Sequence, residues 1–252
     1  MNILLWGILP YLMVIVLVGG LIWRYRFDQF GWTTRSSQLY ESKMLKIASP
    51  LFHFALLAVL MGHLMGLVIP KAFTDWVGIS QHNYHTVALV GGGLAGLALC
   101  VALVMLIWRR RTHGSVFAAT TVNDKVMYVV LAGVVGMGMV ATLTGGTYAT
   151  GEEHNYRETV SVWFRSLFMF NPNVEAMGAA TWQFQVHVLM GMTLFIITPF
   201  TRLVHAFTAP FHYLFRPYIV YRSRGPVGES SQTRTGRGWD PVGTPDRQQT
   251  RR

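Results

Sequence analysis

Five long runs without charged residues decide what this chain can fold into. About 20 consecutive apolar residues span the hydrocarbon core of a bilayer as a helix. The runs cover residues 3–23, 47–69, 86–108, 126–145 and 185–207. Asp, Glu, Lys and Arg are absent from the first four, and the fifth holds only Arg202, close to its end. This pattern predicts an all-α membrane protein, a bundle of five transmembrane helices.

The basic residues predict how the bundle is oriented. Of the 21 Lys and Arg residues, 17 fall in the first loop, the third loop and the segment after residue 207, against three in the second and fourth loops. Because cytoplasmic loops carry an excess of Lys and Arg, we expect the N-terminus outside and the C-terminus in the cytoplasm. The first run has Arg24 and Arg26 after it and no basic residue before it, which favours an uncleaved anchor. The formal net charge of +10 therefore reflects orientation, and no nucleic-acid partner is expected.

Two segments outside the runs have features of their own. Residues 158–170 place apolar side chains on one helical face, which fits either a helix lying in the membrane interface or a short helix packed on the bundle. After a membrane domain at 1–223, residues 224–252 are rich in Gly, Pro, Ser, Thr, Gln and Arg. They are predicted to form a disordered basic cytoplasmic tail.

Four of the nine histidines lie inside the predicted spans, His53 and His63 on the second and His187 and His205 on the fifth. Ionisable side chains within a span are costly and rarely face lipid. A single one could hydrogen-bond to a neighbouring helix, but two on each of two helices indicate a cofactor. A b-type haem takes two neutral imidazoles as axial ligands, so the histidines predict two haems between the second and fifth helices. Cys100, the single cysteine, excludes a disulfide framework or a cysteine-based metal site within this chain.

The second and fifth spans run in opposite directions, so their histidines must pair crosswise. His53 is expected to pair with His205 toward the cytoplasm, and His63 with His187 toward the outside. The spacings of 10 and 18 residues correspond to rises of about 15 Å and about 27 Å. We expect helix tilt and a kink at Pro199 to absorb this difference.

Other residues near these spans allow two interpretations each. His82 and His85, in the loop before the third span, fit proton transfer at a quinol site beside His63 or plain interface residues. The glycines of the third and fourth spans, Gly138 among them, allow close helix packing or clearance for a cofactor. Residues 109–111, three arginines, fit haem propionates or the orientation signal.

Three stretches resemble the gamma subunit of membrane-bound respiratory nitrate reductase, a dihaem cytochrome b. They are WRYRFDQFGWTTRSSQ from Trp23, SPLFHFALLAVLMGHLMG from Ser49 and HVLMGMTLFIITPFTRLVHAFTAP from His187. The similarity runs in order from about residue 3 to residue 222. The resemblance implies that His53, His63, His187 and His205 are the axial ligands of two b-type haems.

The resemblance also implies a multi-pass protein of the prokaryotic cytoplasmic (inner) membrane. Quinol would be oxidised near the outer haem, and electrons would cross to an iron–sulfur beta subunit and a molybdenum-containing alpha subunit in the cytoplasm. A lysine of the family near that haem has no counterpart in QHNYHT from Gln81, and Gln185 stands where the family has an arginine. A quinol contact would then fall to His82, Asn83 or His85, and none of them is assigned.

Two other functions are compatible with the sequence. The chain could be the related cytochrome b of a sulfite- or heterodisulfide-reductase-type complex, which shares the architecture and serves other soluble partners. It could also be a cofactor-free anchor or a transporter whose histidines relay protons. Co-purifying subunits distinguish the first alternative, and a reduced-minus-oxidised spectrum distinguishes the second.

Overall fold

This computed structural model describes residues 1–32, 36–146 and 155–208, and helices form most of that part of the protein. Its α-helices are α1 (Leu9–Phe27), α2 (Leu45–Val68), α3 (Lys71–Trp76), α4 (Gln81–Thr112), α5 (Gly114–Ala118), α6 (Val122–Gly146), α7 (Val160–Leu167), α8 (Val174–Gly178) and α9 (Trp182–Ile197). A π-helical run, Ile3–Ile8, leads into α1, and 3-10 turns at Thr198–Phe200 and Arg202–Thr208 follow α9. The all-α prediction is confirmed for the described residues.

Within the described residues, five helices are long and apolar enough to cross a membrane, as the five runs predict. They are Ile3–Phe27, Leu45–Val68, Gln81–Thr112, Val122–Gly145 and Trp182–Phe200. Large apolar side chains on them stay exposed, among them Ile15, Leu94 and Val129, which suits contact with lipid. The orientation of the termini stays a prediction. So do the domain limits 1–223 and 224–252 and the disordered tail, because residues 209–252 lie outside the described part of the chain.

The fifth span differs from the prediction of one helix over 185–207. Pro199 has no N–H to continue the α-helical hydrogen bonds, and α9 ends at Ile197. Thr201 then adopts an extended backbone, with φ −119° and ψ −179°. The chain resumes in a 3-10 turn that carries His205. His187 and His205 therefore do not share one continuous helix, and the rise of an unbroken helix does not apply to them.

The third span begins earlier than the prediction of 86–108. The Ser80 side chain accepts a hydrogen bond from the Asn83 N–H at 3.2 Å, which caps the N-terminus of α4. The helix therefore starts at Gln81. His82 and His85, placed in a loop by the sequence, lie instead in the first two turns of α4.

The spanning helices pack in a fixed order around the bundle. α2 packs along α4, α4 along α6, α6 along α9, and α9 along α1. We call the end that holds the C-termini of α1 and α4 the basic end, and the opposite end, which holds α3, α7 and α8, the short-helix end. Phe52, Leu99 and Met127 belong to a buried cluster between α2, α4 and α6.

At the basic end, a buried arginine attaches the segment before α2 to α4. Arg109 is 1% exposed and donates to the Glu41 carboxylate, and to the Ser37 hydroxyl and carbonyl oxygens at 2.8 and 2.9 Å. Desolvation raises the pKa of Glu41, but hydrogen bonds from Arg109 and from the Met44 N–H outweigh this and the net pKa is lowered. Arg109 is thus occupied by the protein itself, whereas the sequence left a haem propionate as one of its two interpretations.

At the short-helix end, the predicted amphipathic helix forms as α7 and packs on the bundle. Trp163 is buried, and its indole N–H donates to the Trp6 carbonyl at 2.7 Å. Pro10, four residues after Trp6, has no N–H with which to make the α-helical bond to that carbonyl. The two indoles meet edge to face, with ring centroids 5.9 Å apart. This packing favours the second of the two interpretations given for residues 158–170.

Replacement of Trp163 by Phe should destabilise this end of the bundle. The ring contacts remain, but the buried Trp6 carbonyl loses its indole donor, which costs about 1–3 kcal/mol. Thermal unfolding of the detergent-solubilised chain measures the loss. Trp182→Phe is the matched control, because Trp182 is 61% exposed. Equal melting temperatures for the two variants would contradict the role given to this hydrogen bond.

Candidate functional site

The first histidine pair joins α2 to α9. His63 and His187 face each other, with their Nε2 atoms 3.5 Å apart and their ring centroids at 5.8 Å. The ring planes are inclined by 35°. Two imidazoles from opposite sides of an apolar bundle thus direct the same nitrogen toward one point.

The second pair lies toward the basic end. His53 on α2 and His205 on the 3-10 turn have ring centroids 6.2 Å apart and planes inclined by 66°. The structure therefore brings together the pairs that the antiparallel spans predict. That these pairs bind haem iron stays a prediction.

The protonation of all four rings follows from their hydrogen bonds. Each Nδ1 lies against a main-chain carbonyl oxygen, which can only accept, so each Nδ1 must carry the proton. The acceptors are the carbonyls of Ser49 for His53 at 2.7 Å, Val59 for His63 at 2.8 Å, Val134 for His187 at 3.1 Å and Arg202 for His205. A neutral ring in this tautomer keeps its lone pair on Nε2. Facing lone pairs repel each other unless a proton or a metal lies between them.

The donor set fits a haem better than a bare metal ion. Within the described residues, no group of three or more His, Cys, Asp or Glu side chains could hold a metal ion. A structural or catalytic metal ion usually needs three or four protein ligands. Haem iron takes its other four ligands from the porphyrin and needs only axial ones from the protein. Two facing imidazoles with fixed tautomers match that requirement.

The helix arrangement also suits a planar group between the histidines. α2 packs along α4, and α9 along α6 and α1, but α2 and α9 lack such close backbone approach within the described residues. His53 and His63 are exposed on α2. Polar side chains inside a membrane-spanning helix need a partner. A ligand between α2 and α9 would cover both His53 and His63.

Gly138 on α6 makes room for the His187 ring. A Cβ at this position would lie 2.9 Å from His187 Cε1 and 3.3 Å from its Nδ1. Gly136, two residues earlier, has no atom within 4 Å of such a Cβ. Of the two interpretations of the span glycines, close packing thus applies to Gly138, and its packing partner is a candidate ligand.

A charged cluster lies beside His205 at the basic end. Arg202 Nε lies 3.2 Å from Asp124 Oδ1, and the two side chains are 12% and 3% exposed. Arg110 donates to the Tyr128 hydroxyl at 3.0 Å and to Thr120 Oγ1 at 2.9 Å. Arg202, which the sequence placed inside the fifth span, thus pairs with a carboxylate of the protein.

The residues considered for a quinol site lie on two helices, α4 and α9. His82, Asn83 and His85 lie in the first two turns of α4, and their place in a quinol site stays a prediction. The Gln185 amide donates to carbonyls at the C-terminus of α8 and just after it, including Ala180 at 2.8 Å. Gln185 therefore holds α8 in place, and no quinol contact is assigned to any of these residues.

Sequence reasoning missed the main-chain and small-residue parts of this site. The Val134 carbonyl leaves no signature in a sequence, and Gly138 is one of several glycines. Two arginines at the short-helix end, Arg157 and Arg165, had a signal that could have been followed. They are basic residues in a loop that the charge bias places outside.

Comparisons with known proteins agree on one family. The family model described as "Nitrate reductase gamma subunit" matches residues 2–224. The chain is 41% identical over 221 residues to the nitrate reductase gamma chain of Bacillus subtilis, covering 88% of this chain and 98% of that protein. It is 31% identical over 225 residues to the respiratory nitrate reductase 2 gamma chain of Escherichia coli, covering 89% of this chain and 98% of that one.

A longer relative also matches. The chain is 53% identical over 239 residues to the nitrate reductase-like protein NarX of Mycobacterium tuberculosis, a match that covers 95% of this chain. The chain spans about a third of the length of that relative, 36% of it.

Proposed function

The chain belongs to the nitrate reductase gamma subunit family, and from this membership we propose that it is the dihaem cytochrome b subunit of a respiratory nitrate reductase. In this role it oxidises quinol near the external membrane face. It then delivers the electrons to an iron–sulfur subunit that feeds a molybdenum-containing subunit in the cytoplasm. Nitrate reduction itself belongs to that last partner. The 17 basic residues assigned to the cytoplasmic side support this orientation in the inner membrane.

One observation carries the proposal, the two facing histidine pairs whose Nδ1 atoms all donate to main-chain carbonyls. Such a second bond fixes the orientation of a ligating imidazole and increases its basicity. Because the acceptors are backbone atoms of helices and turns, the rings are held before any ligand binds. His63 with His187 would hold the outer haem, and His53 with His205 the inner one.

The protein supplies position and environment, and bound haems would supply one-electron redox chemistry across the bilayer. α2 carries one ligand of each pair, ten residues apart in sequence, so it fixes their separation. The break after α9 sets the position of His205 independently of His187. Arg202, Arg110 and Asp124 keep buried charge beside the inner pair, and such charge influences the potential of a nearby redox centre.

Purification of the chain with its native partners tests the proposed role. A quinol analogue should reduce the b-type haems of the complex, which is followed as a change in absorbance. Nitrate should then reoxidise them. We expect a molybdenum-containing and an iron–sulfur subunit in the same preparation. Co-purification with sulfite- or heterodisulfide-reductase-type subunits, together with no reoxidation by nitrate, would contradict the proposal. No reduction of the chain by quinol would contradict the quinol-oxidising role.

Gly138→Ala should weaken the outer haem site alone. The new Cβ would displace the His187 ring from its hydrogen bond to Val134, because the ring atoms lie within 3.3 Å of that position. Haem content of the purified variant should fall below two per chain, with the loss confined to one spectral component. Gly136→Ala, which places its Cβ in open space, should keep both haems. Equal haem content in the two variants would contradict the role of Gly138.

A further inference from the structure

The fourth connection carries two arginines that the charge bias places outside. Together with Lys71 they make up the three basic residues assigned to that side. Lys71 forms an exposed ion pair with Asp75 at 3.1 Å, as surface lysines often do. Arg157 and Arg165 have a different environment.

Arg157 is a buried cation held by neutral groups. Its side chain is 2% exposed, and it donates to Thr74 Oγ1 at 3.0 Å and to Gln81 Oε1 at 3.4 Å. The guanidinium carbon lies 3.9 Å from the centroid of the Tyr84 ring. Its Nε is buried and has no hydrogen-bond partner in the part of the chain that the structure describes. Among the described residues, no carboxylate forms an ion pair with Arg157.

Arg165 lies close enough to repel Arg157. Desolvation and the charge of Arg157 lower the pKa of Arg165. Its Nη1 donates to the Leu67 carbonyl at 3.1 Å, and within the described residues it too has no carboxylate partner. Burial of two neighbouring guanidinium groups without a carboxylate partner is costly. An anionic ligand would offset this cost.

The position of these arginines relates them to the outer histidine pair. Leu67 follows His63 by four residues, so it lies on the same face of α2, about 6 Å farther along the axis. A Cβ at Gly66 would lie 2.9 Å from the hydroxyl of Tyr156. Tyr156 is the residue before Arg157. Arg165 therefore lies about one helical turn beyond His63, toward the short-helix end, and Arg157 lies close enough to Arg165 to repel it.

We propose that Arg157 and Arg165 bind the propionate carboxylates of the haem whose iron is held by His63 and His187. This inference rests on the proposed function. A b-type haem carries two propionates, and a carboxylate brought into a bundle of low dielectric needs a cationic partner. The bidentate geometry of guanidinium suits that pairing.

A redox titration of the purified complex tests the assignment. Arg165→Gln keeps an amide donor for the Leu67 carbonyl and removes the charge. We expect it to lower the midpoint potential of the outer haem and leave that of the inner haem unchanged. Arg157→Gln should act in the same direction, and Arg165→Lys should restore most of the wild-type value. Lys71→Gln, which removes an exposed external charge, should shift neither potential.

A vibrational measurement identifies the anion. Haem labelled with ¹³C at the propionate carboxyls is introduced into the wild type and into Arg165→Gln, and redox-difference infrared spectra are compared. We expect the labelled carboxylate bands to move in the variant. Unmoved labelled bands would point to another anion, such as a lipid phosphate or the side chains of Glu152 and Glu153, and would overturn the assignment.

The outcomes separate this inference from the proposed function. A wild-type chain without haem refutes the function. A wild type with two haems and an unchanged outer potential in Arg165→Gln refutes only the propionate assignment, and leaves Arg165 as a cap for the C-terminus of α2. If Arg157→Gln fails to fold, the potentials of Arg165→Gln and Arg165→Lys test the propionate assignment. A shift of equal size in Lys71→Gln would also overturn the assignment.

Discussion

Replacing His63 or His187 by Ala should remove one haem and leave the other, and replacing His53 or His205 should remove the opposite one. Each substitution deletes one axial ligand, and the remaining imidazole of the pair lacks its partner across the bundle. Haem content should fall from about two to about one per chain. The variants His63→Ala and His187→Ala should lose the same component of the reduced-minus-oxidised spectrum, because these rings face each other at 5.8 Å.

His113→Ala is the matched control, since His113 ends α4 and lies outside both pairs. It should retain both haems and quinol-dependent reduction. Loss of the same single component by His53→Ala and His63→Ala would contradict the crosswise pairing. Retention of both haems by all four variants would refute the histidine ligands altogether.

Asp124→Asn should cause the largest loss of stability of the substitutions considered. Asp124 is 3% exposed, and its carboxylate lies 3.2 Å from Arg202 Nε. Arg202 is 12% exposed and lies close to the like charge of Arg110, so the Asp124 carboxylate supplies its counter-charge. Removing one partner of a buried pair costs about 3–5 kcal/mol. Asn keeps an oxygen that can accept from the Thr121 N–H, now bonded to Asp124 Oδ2 at 3.1 Å.

The free energy of unfolding in mixed detergent micelles measures this loss. Asp75→Asn is the matched control, because Asp75 and Lys71 are 47% and 40% exposed and such pairs contribute about 0–1 kcal/mol. The inner haem should also be bound less tightly in Asp124→Asn, because Arg202 supplies the carbonyl that orients His205. Equal stability of the two variants would show that the Asp124–Arg202 pair is not a major support of the basic end.

The sequence alone predicted those parts of the structure that one physical rule determines. Uncharged runs predicted five spans because a bilayer excludes charge, and antiparallel direction alone predicted which histidines face each other. The same rules could not place helix ends. Ser80 starts α4 five residues before the apolar run through a single cap, and that early start puts His82 and His85 on a helix.

Other parts of the site depend on tertiary structure. Pro199 predicted a kink, but the extended Thr201 that separates His205 from α9 depends on packing against α1. There, a Cβ on Gly20 would come within 2.7 Å of Pro199 Cβ. The Val134 carbonyl that orients His187 belongs to a third helix. No spacing within α2 and α9 could have revealed it.

The central claim is that four histidines hold two b-type haems in this bundle. The most direct test is the haem-to-protein ratio of the purified chain, combined with its reduced-minus-oxidised absorbance spectrum. The account predicts about two haems per chain and a b-type absorbance change on reduction. A purified, folded chain with no haem and no b-type absorbance change would contradict it.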